Sequence, residues 1–301
     1  MKTILQTSLA LATSALILTA ATSRAQTAYA LANNGTTLIK FDLATPGVTT
    51  AVGGFDGAAV RLDGIDFRPA DGLLYGYDQS SNKVVTINLT NALTTLAATP
   101  ATASSNGDLG IDFNPAADRL RIVNIDDQNL RINVAGGATT VDGPLAYVAL
   151  DANVGVNPLI NEAAYTNSDN NPGTGTTLFY IDYGRDILVS TINPNAGQLN
   201  TIGALGVDTS DLTGFDILSN GLGGNTAYAI LTAPSGIASL YTVNLGTGAA
   251  TSIGVVSQAA ASRPFSLAIV QPVPEPGTLL FGFALLGASL TRNRRRAAPR
   301  A

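Results

Sequence analysis

Short apolar runs recur along the chain and are separated by turns rich in Asn, Asp, Gly and Pro. Two copies of a repeat begin with Gly-Ile-Asp-Phe-x-Pro, at residues 64–69 and 110–115, and a looser copy begins with Gly-Phe-Asp-Ile at residues 214–217. Each start is followed by three more runs rich in Val, Ile, Thr and Tyr, the residues that favour strands. The pattern predicts a repeated unit of four short antiparallel strands.

Two further parts of the chain fit the same unit. Residues 159–205 form another copy, whose first hairpin carries a long polar loop. The N-terminal part supplies runs at 28–32, 37–43 and 48–55, which match the second, third and fourth strands but lack a first strand. The C-terminal run at 264–270 matches a first strand alone. Pairing these two parts completes a fifth unit and closes a ring.

The closed ring predicts an all-β fold, a β-propeller of five four-stranded blades whose last blade is split between the chain ends. The repeats start at 64, 110, 163, 214 and 265, so they are 46, 53, 51 and 51 residues apart, which is typical of propeller blades. One alternative is a six-bladed ring with a divergent blade hidden in residues 143–176. A two-sheet sandwich is disfavoured, because it leaves the split repeat without a reason.

The two ends of the chain carry sorting patterns instead of repeats. Lys2 precedes an apolar stretch at residues 9–21, and Ser23-Arg24-Ala25 offers the small residues that a signal peptidase reads. We expect a signal peptide over residues 1–25, with cleavage between Ala25 and Gln26. The propeller domain then spans residues 26–271.

At the other end, Pro274-Glu275-Pro276 precedes an apolar run at residues 277–290 and an arginine-rich tail. At about 1.5 Å per residue, this run spans roughly 21 Å as a helix, which is short for a bilayer core of about 30 Å. The basic tail fits the positive-inside rule and places the propeller outside the cytoplasm. These three parts, over residues 272–301, resemble the PEP-CTERM sorting signal of bacterial exported proteins.

That resemblance implies a short transmembrane helix, transient anchoring in the inner membrane and cleavage near the motif by an exosortase-type protease. Signal peptidase and this protease are then the processing partners, and the mature protein is at the cell surface or extracellular. Extracellular polysaccharide is a further candidate partner. The membrane is contacted only through the C-terminal helix.

The amino-acid composition excludes several classes of catalytic and metal-binding site. The chain has no His, Cys or Trp, which excludes Ser-His-Asp and Cys-His catalysis and excludes zinc, copper or haem bound by His or thiolate. Residues 26–271 carry nine basic and twenty acidic side chains, and the resulting formal charge of −11 repels nucleic acid. We identify no catalytic residue and no cofactor. The negative charge would tolerate or recruit divalent cations, and calcium is the candidate among them.

Asp66, Asp112 and Asp216 occupy equivalent positions in the repeats and can converge near the ring axis. We expect them to accept hydrogen bonds from backbone amides that join one blade to the next, because a buried carboxylate needs donors. A shared cation or ligand site on the axis and carboxylate-based catalysis are the alternatives.

Two loops are rich enough in oxygen to be calcium candidates, namely Asp126-Asp127-Gln128-Asn129 and residues 167–171. Asp and Asn are also the usual turn formers between strands, and we favour turns here. The guanidinium groups of Arg119, Arg121 and Arg131 can form an anion patch, although we expect surface ion pairs with nearby aspartates, worth little net energy.

The paired Gly-Ile-Asp-Phe-x-Pro motifs, with the segments at 117–122 and 129–133, resemble a bacterial domain-of-unknown-function family, number 4394, over residues 28–270. This family is often found with export and PEP-CTERM signals, and the resemblance supplies no activity and no functional residues. Two functions remain as hypotheses. The first is an exported, exosortase-processed, matrix-associated propeller that acts as a binding or structural module. The alternative is a carboxylate-dependent hydrolase or lyase acting on extracellular polysaccharide.

Overall fold

A computed structural model describes residues 26–105, 107–169, 171, 173–191, 193–257 and 263–271. The predicted signal peptide and the predicted sorting segment at 272–301 lie outside the described residues. Within them the chain is all-β, apart from one three-residue 3-10 turn at Pro194–Ala196. No helix in this part of the chain is long and apolar enough to cross a membrane.

The first described strands lie side by side as three strands of one sheet, called blade 5. They are β1 (Thr27–Ala32), β2 (Thr37–Asp42) and β3 (Thr45–Gly54). A two-residue strand, β4 (Asp56–Gly57), follows and pairs in parallel with the outer strand of the next blade. This pairing ties blade 5 to its neighbour at the rim.

Blades 1 and 2 are consecutive antiparallel sheets. Blade 1 consists of β5 (Gly64–Phe67), β6 (Leu74–Asp78), β7 (Lys83–Ile87) and β8 (Leu93–Ala98). Blade 2 consists of β9 (Leu109–Asn114), β10 (Arg119–Asn124), β11 (Asn129–Ile132) and β12 (Thr139–Val141). The six-bladed alternative placed a hidden blade in residues 143–176. Of these, residues 143–158 hold turns and one two-residue strand, β13 (Ala146–Tyr147), which pairs in parallel with the outer strand of blade 3.

Blades 3 and 4 follow, and the last described strand then returns to the start of the chain. Blade 3 consists of β14 (Ile160–Tyr165), β15 (Leu178–Asp182), β16 (Ile187–Thr191) and β17 (Gln198–Ala204). Blade 4 consists of β18 (Thr213–Ser219), β19 (Asn225–Thr232), β20 (Ala238–Val243) and β21 (Ala250–Ser257). Strand β22 (Phe265–Ile269) pairs antiparallel with β1 and completes blade 5, as the split repeat predicts.

The inner strands of the blades contact one another in the cyclic order β5, β9, β14, β18, β22 and back to β5. The described residues therefore form a closed ring of five blades. The prediction of a five-bladed propeller is confirmed, and the six-bladed alternative is wrong. Short strands with buried faces suit this geometry, because each blade packs on two neighbours and the inner edge of each blade lies against the inner strands of its neighbours.

The core consists of separate apolar clusters, each lying between two neighbouring blades. The alternation of side chains along each strand produces this arrangement. On β10, Leu120 and Ile122 pack toward blade 1, whereas Val123 packs toward blade 3. Val123 is the one blade 2 residue in the apolar cluster described between blades 2 and 3, so this seam relies on other contacts.

Candidate functional site

Three buried carboxyl groups meet at the ring axis. Asp66 lies on β5, Asp112 on β9 and Asp216 on β18, and one carboxylate oxygen from each lies within 4.8 Å of the others. Their exposed fractions are 6%, 3% and 2%. The structure thus brings together the three aspartates that the repeat pattern places in equivalent positions. We call them the axial aspartates.

Each axial aspartate accepts a hydrogen bond from a backbone amide of the next inner strand. Asp66 Oδ2 accepts from the Phe113 N–H at 2.7 Å, and Asp112 Oδ1 accepts from the Tyr165 N–H at 3.1 Å. Asp216 Oδ2 accepts from the Ile269 N–H at 2.6 Å. These bonds cross the seams from blade 1 to 2, from 2 to 3 and from 4 to 5. The motif aspartate thus links neighbouring blades through backbone amides, which is the role that we expected for it.

The two remaining seams use a different position on the strand. Blades 3 and 5 have Ala164 and Ala268 where the other blades have aspartate, and they carry Glu162 and Ser266 two residues earlier. Ser266 Oγ accepts from the Ile65 N–H at 3.0 Å, which links blade 5 to blade 1. The Glu162 carboxyl interacts with the backbone amide of Phe215, which links blade 3 to blade 4. Every seam therefore has a side chain facing an amide of the next inner strand.

A backbone irregularity accompanies this change of position. The register between β14 and β15 shifts between Ile160 and Glu162. The register between β22 and β1 shifts at Ser266, which has no partner residue on β1. Ser266 also has a positive φ of 47°, which is rare for a residue other than glycine. The inner strands of the other three blades pair without such a shift. Bulges re-aim side chains, so the bulge explains how Glu162 and Ser266 take over from aspartate.

In blades 2 and 4 the first residue of the motif is glycine because a side chain at that position would clash with the next inner strand. A Cβ added at Gly110 would lie 2.4 Å from the Glu162 Cα, and a Cβ at Gly214 would lie 2.9 Å from the Ser266 carbonyl carbon. The inner strands thus approach too closely at these points for a side chain. The Gly-Ile-Asp-Phe motif accordingly combines close strand packing with a carboxylate that reaches the next blade.

The axial environment favours the protonated form of these carboxyl groups. Burial, with repulsion from Asp216, raises the pKa of Asp66 well above its usual value, and burial with repulsion from Asp66 and Asp216 does the same for Asp112. Burial raises the pKa of Asp216 to about 7 and the pKa of Glu162 well above its usual value. The cluster therefore retains protons near neutral pH.

This retention predicts a pH dependence of stability. Between pH 4 and 7 the folded protein holds the Asp216 proton, whereas the unfolded chain has lost it, because the ordinary pKa is 3.8. The contribution of this carboxyl group to the free energy of unfolding is fully present below this window. It is lost as pH rises through the window, by about 1.4 kcal/mol per pH unit for each proton that only the folded state holds. We expect chemical denaturation of residues 26–271 to show this fall, and Asp216→Asn to reduce its slope. The exposed Asp208→Asn is the control and should keep the parent slope, while an unchanged slope in Asp216→Asn would contradict the argument.

The family comparison agrees with the repeat architecture. The family model described as "Domain of unknown function (DUF4394)" matches residues 37–266. The chain belongs to this family. No curated protein matches the chain significantly. The family match confirms the resemblance in the body of the chain and assigns no activity to it.

Solved structures agree on the fold. A chain from the crystal structure of a nidogen/laminin complex matches with a TM-score of 0.50 and 13% identity, covering 83% of this chain and 100% of that one. A protein of unknown function from Bacteroides caccae matches with a TM-score of 0.50 and 9% identity, over the same shares. At such low identities the likeness shows the fold alone.

The loop candidates for calcium lie away from the axial aspartates. Asp126 and Asp127 are in the hairpin between β10 and β11, where the Asp126 N–H donates to Asn124 Oδ1 and Asp127 has a positive φ of 62°. In the second loop, Asp169 Oδ1 accepts from the Asn171 N–H at 3.0 Å and from Thr174 Oγ1 at 3.2 Å. In both loops the described contacts are those of turns.

Arg121 pairs with a nearby aspartate, as expected, but the pair is buried and does not lie at the surface. Its side chain is 1% exposed and lies in the seam between blades 2 and 3. Its guanidinium donates to Tyr165 Oη at 2.7 Å, to Asn195 Oδ1 at 3.0 Å and to Asp142 Oδ2 at 3.1 Å, and it also contacts Asn129 Oδ1. Arg131 pairs with the same Asp142 carboxylate, at 2.6 and 2.8 Å. A polar network thus supplements the apolar contacts at this seam.

Sequence reasoning missed Glu162 and Ser266 as members of the inner ring. The repeat motif is recognised by its aspartate, and blades 3 and 5 have Ala164 and Ala268 at that position, which carry no hydrogen-bond acceptor in their side chains. One signal was present: Glu162 is the only glutamate within residues 26–271, and it stands in a strand that is otherwise largely apolar. A charged residue at a motif-glycine position is the pattern that would have revealed it.

Proposed function

We propose that this protein is an exported, matrix-associated propeller that acts as a binding or structural module and performs no chemistry at its axial carboxyl groups. The observation that supports this most is the engagement of each axial aspartate by an amide of the next blade. Carboxyl groups used in this way hold neighbouring blades together. A ring built on them is a rigid support for surface sites.

The alternative of a carboxylate-dependent hydrolase or lyase has weaker support. A glycosidase needs two carboxyl groups about 5–10 Å apart, with room between them for the scissile bond. One oxygen from each axial aspartate lies within 4.8 Å of the others and all three side chains are buried, so a scissile bond has little room between them. Calcium likewise takes six to eight oxygens, whereas here three carboxyl groups converge and each already has one oxygen engaged by an amide.

The axial aspartates give the first test. Changing Asp66, Asp112 or Asp216 to Ala should lower the free energy of unfolding by about 1–3 kcal/mol, because a buried amide loses its acceptor. The matched Asn variants keep an acceptor oxygen and should lose less. Denaturation of residues 26–271 with calcium and with a chelator measures both effects. Calcium-dependent stabilisation of the parent that disappears in the Ala variants would instead support an axial cation site.

The sorting segment gives the second test, which concerns export. In the native host, changing Pro274, Glu275 or Pro276 to Ala should leave a longer, membrane-held form, because the protease that we propose reads this motif. Immunoblots of membrane and released fractions measure the outcome, and Pro299→Ala beyond the motif is the control. Normal processing and release of all three motif variants would rule out the sorting hypothesis.

A further inference from the structure

Both ends of the described chain leave the ring at one place. Gln26 and Gln271 are its first and last residues. The Gln26 side chain contacts the Val270 carbonyl oxygen, and the Val270 N–H donates to the Thr27 carbonyl oxygen at 3.1 Å. Because the equivalent blades place their inner strands in one direction and β22 ends just before Gln271, this place lies at the end of the ring where the inner strands finish. We call this end the exit face.

The hairpin that follows the inner strand of blade 4 contacts the C-terminal exit. The Ser219 N–H donates to Gln271 Oε1 at 2.9 Å, and Gln271 Nε2 donates to the Ile217 carbonyl oxygen at 3.3 Å. The next residues, 220–224, are Asn-Gly-Leu-Gly-Gly and carry no charge. Their leucine, Leu222, is 91% exposed. A large apolar side chain is therefore presented next to the point where the chain leaves the ring.

Hydrogen bonds within this hairpin fix the backbone that carries Leu222. Asn220 Oδ1 accepts from the Leu222 N–H at 2.8 Å and from the Gly224 N–H at 2.9 Å. Asn225 Nδ2 donates to Asn167 Oδ1 at 2.8 Å, which ties the base of the hairpin to blade 3. The leucine is thus displayed by a loop of defined shape.

A second exposed leucine flanks the exit on its other side. Strand β22 contacts β18 of blade 4 and β5 of blade 1, so the hairpins that follow these two strands lie on either side of the exit. Leu73, in the blade 1 hairpin, is 50% exposed. The carboxylates nearby are engaged by Arg68, which lies 2.7 Å from Asp71 and 2.6 Å from Asp118. Apolar side chains on both sides of one point form a patch, whereas single exposed leucines are ordinary.

The predicted membrane segment begins a short distance from this patch. Five residues, 272–276, separate Gln271 from the apolar run at 277–290, and even fully extended they reach only about 20 Å. A run shorter than the bilayer core is accommodated by local thinning, which keeps its flanking residues at the interface. The predicted signal peptide leaves from the same face, through Gln26. The exit face is therefore close to the lipid headgroups when the run at 277–290 is in the membrane.

The opposite end of the ring is less suited to a lipid surface. Asp108, Asp208 and Asp211 are exposed and lie shortly before the inner strands of blades 2 and 4. A lipid surface that carries negative charge repels these carboxylates. Charge and the position of the leucines thus favour the same orientation of the ring.

We propose that the exit face rests on the lipid bilayer while the chain is anchored, with Leu222 and Leu73 at the boundary between headgroups and acyl chains. The opposite end of the ring then points away from the membrane. This inference rests on the proposed function, because it requires the anchored form. It goes beyond the expectation that the C-terminal helix alone contacts the membrane.

Single-cysteine labelling tests the proposal, and the chain suits it because it has no cysteine. Leu222→Cys and Leu73→Cys place a nitrobenzoxadiazole label on the exit face, and Asp208→Cys places it at the opposite end of blade 4. Each full-length variant is reconstituted into vesicles of phosphatidylcholine and phosphatidylglycerol that contain a lipid with a nitroxide near its headgroup. Because nitroxides quench only nearby fluorophores, we expect most of the fluorescence to be lost at the two leucine positions and little of it at Asp208→Cys. All three positions are exposed, so the labelled variants should melt like the parent.

Three results would overturn the proposal while leaving the anchored form intact. They are equal quenching at the two ends of the ring, stronger quenching at Asp208→Cys, and no quenching at either leucine position in protein that floats with the vesicles. A full-length chain that does not float with the vesicles would overturn the anchored form, and the orientation with it. Flotation and quenching are separate measurements, so failure of this inference is distinguishable from failure of the proposed function.

Discussion

Deleting residues 264–270 should prevent the propeller from closing, and we expect the largest loss of stability from this change. The deletion removes β22, whose residues Leu267, Ala268 and Ile269 are buried, and it leaves β1 without its inner neighbour. It also removes the Ser266 acceptor and the Ile269 donor of the inner ring. We expect an aggregating protein without a cooperative thermal transition, measured by calorimetry and size-exclusion chromatography.

The matched control is removal of residues 272–301 alone. This truncation keeps every contact described for blade 5, so it should yield a monodisperse domain with a single cooperative transition. Similar melting of the two truncated proteins would contradict the idea that the C-terminal strand closes the ring.

Arg121→Ala should have the second largest effect, a loss of about 2–5 kcal/mol in the free energy of unfolding. The change removes a large buried side chain and leaves Tyr165 Oη and Asn195 Oδ1 without their donor. Asp142 keeps its pair with Arg131, so the loss comes mainly from the emptied volume and the unpaired polar groups. Urea denaturation of residues 26–271 measures the difference.

Arg119→Ala is the control for this prediction. Arg119 lies two residues earlier on the same strand, and its described hydrogen bonds go only to the Ala117 and Asp118 carbonyl oxygens. It should change stability by about 0.5 kcal/mol or less. Equal effects of the two substitutions would show that the seam between blades 2 and 3 does not depend on the buried guanidinium.

The repeat predicts the fold well because the same physical demands recur in every blade. Two inner strands come into close backbone contact with the next one, which Gly110 and Gly214 allow, and each inner strand satisfies an amide across the seam, as Asp66 and Asp112 do. Repeated demands leave a repeated motif in the sequence. The blade count and the split closing blade follow from counting that motif.

The features that the sequence did not predict are those in which one blade differs from the others. The bulge at Ser266 moves the acceptor by two positions, and nothing in the residue type announces a bulge. Arg121 alternates with apolar residues like an exposed arginine would, and its burial depends on partners more than 40 residues away along the chain. The two-residue strand β13 is likewise set by tertiary pairing and is too short for any sequence pattern.

The pairing of β1 with β22 also governs when the native state becomes accessible during biosynthesis. The paired residues are about 240 positions apart, so the N-terminal strand is made long before its partner. At about 5–20 residues per second, the ribosome needs on the order of 10–50 s to supply that partner. Until then Ala28 to Leu31, which are buried in the finished ring, have no inner neighbour. Ring closure is thus a late, long-range and slow event, which would suit the export that we propose, because the chain can cross a membrane before its ring has closed.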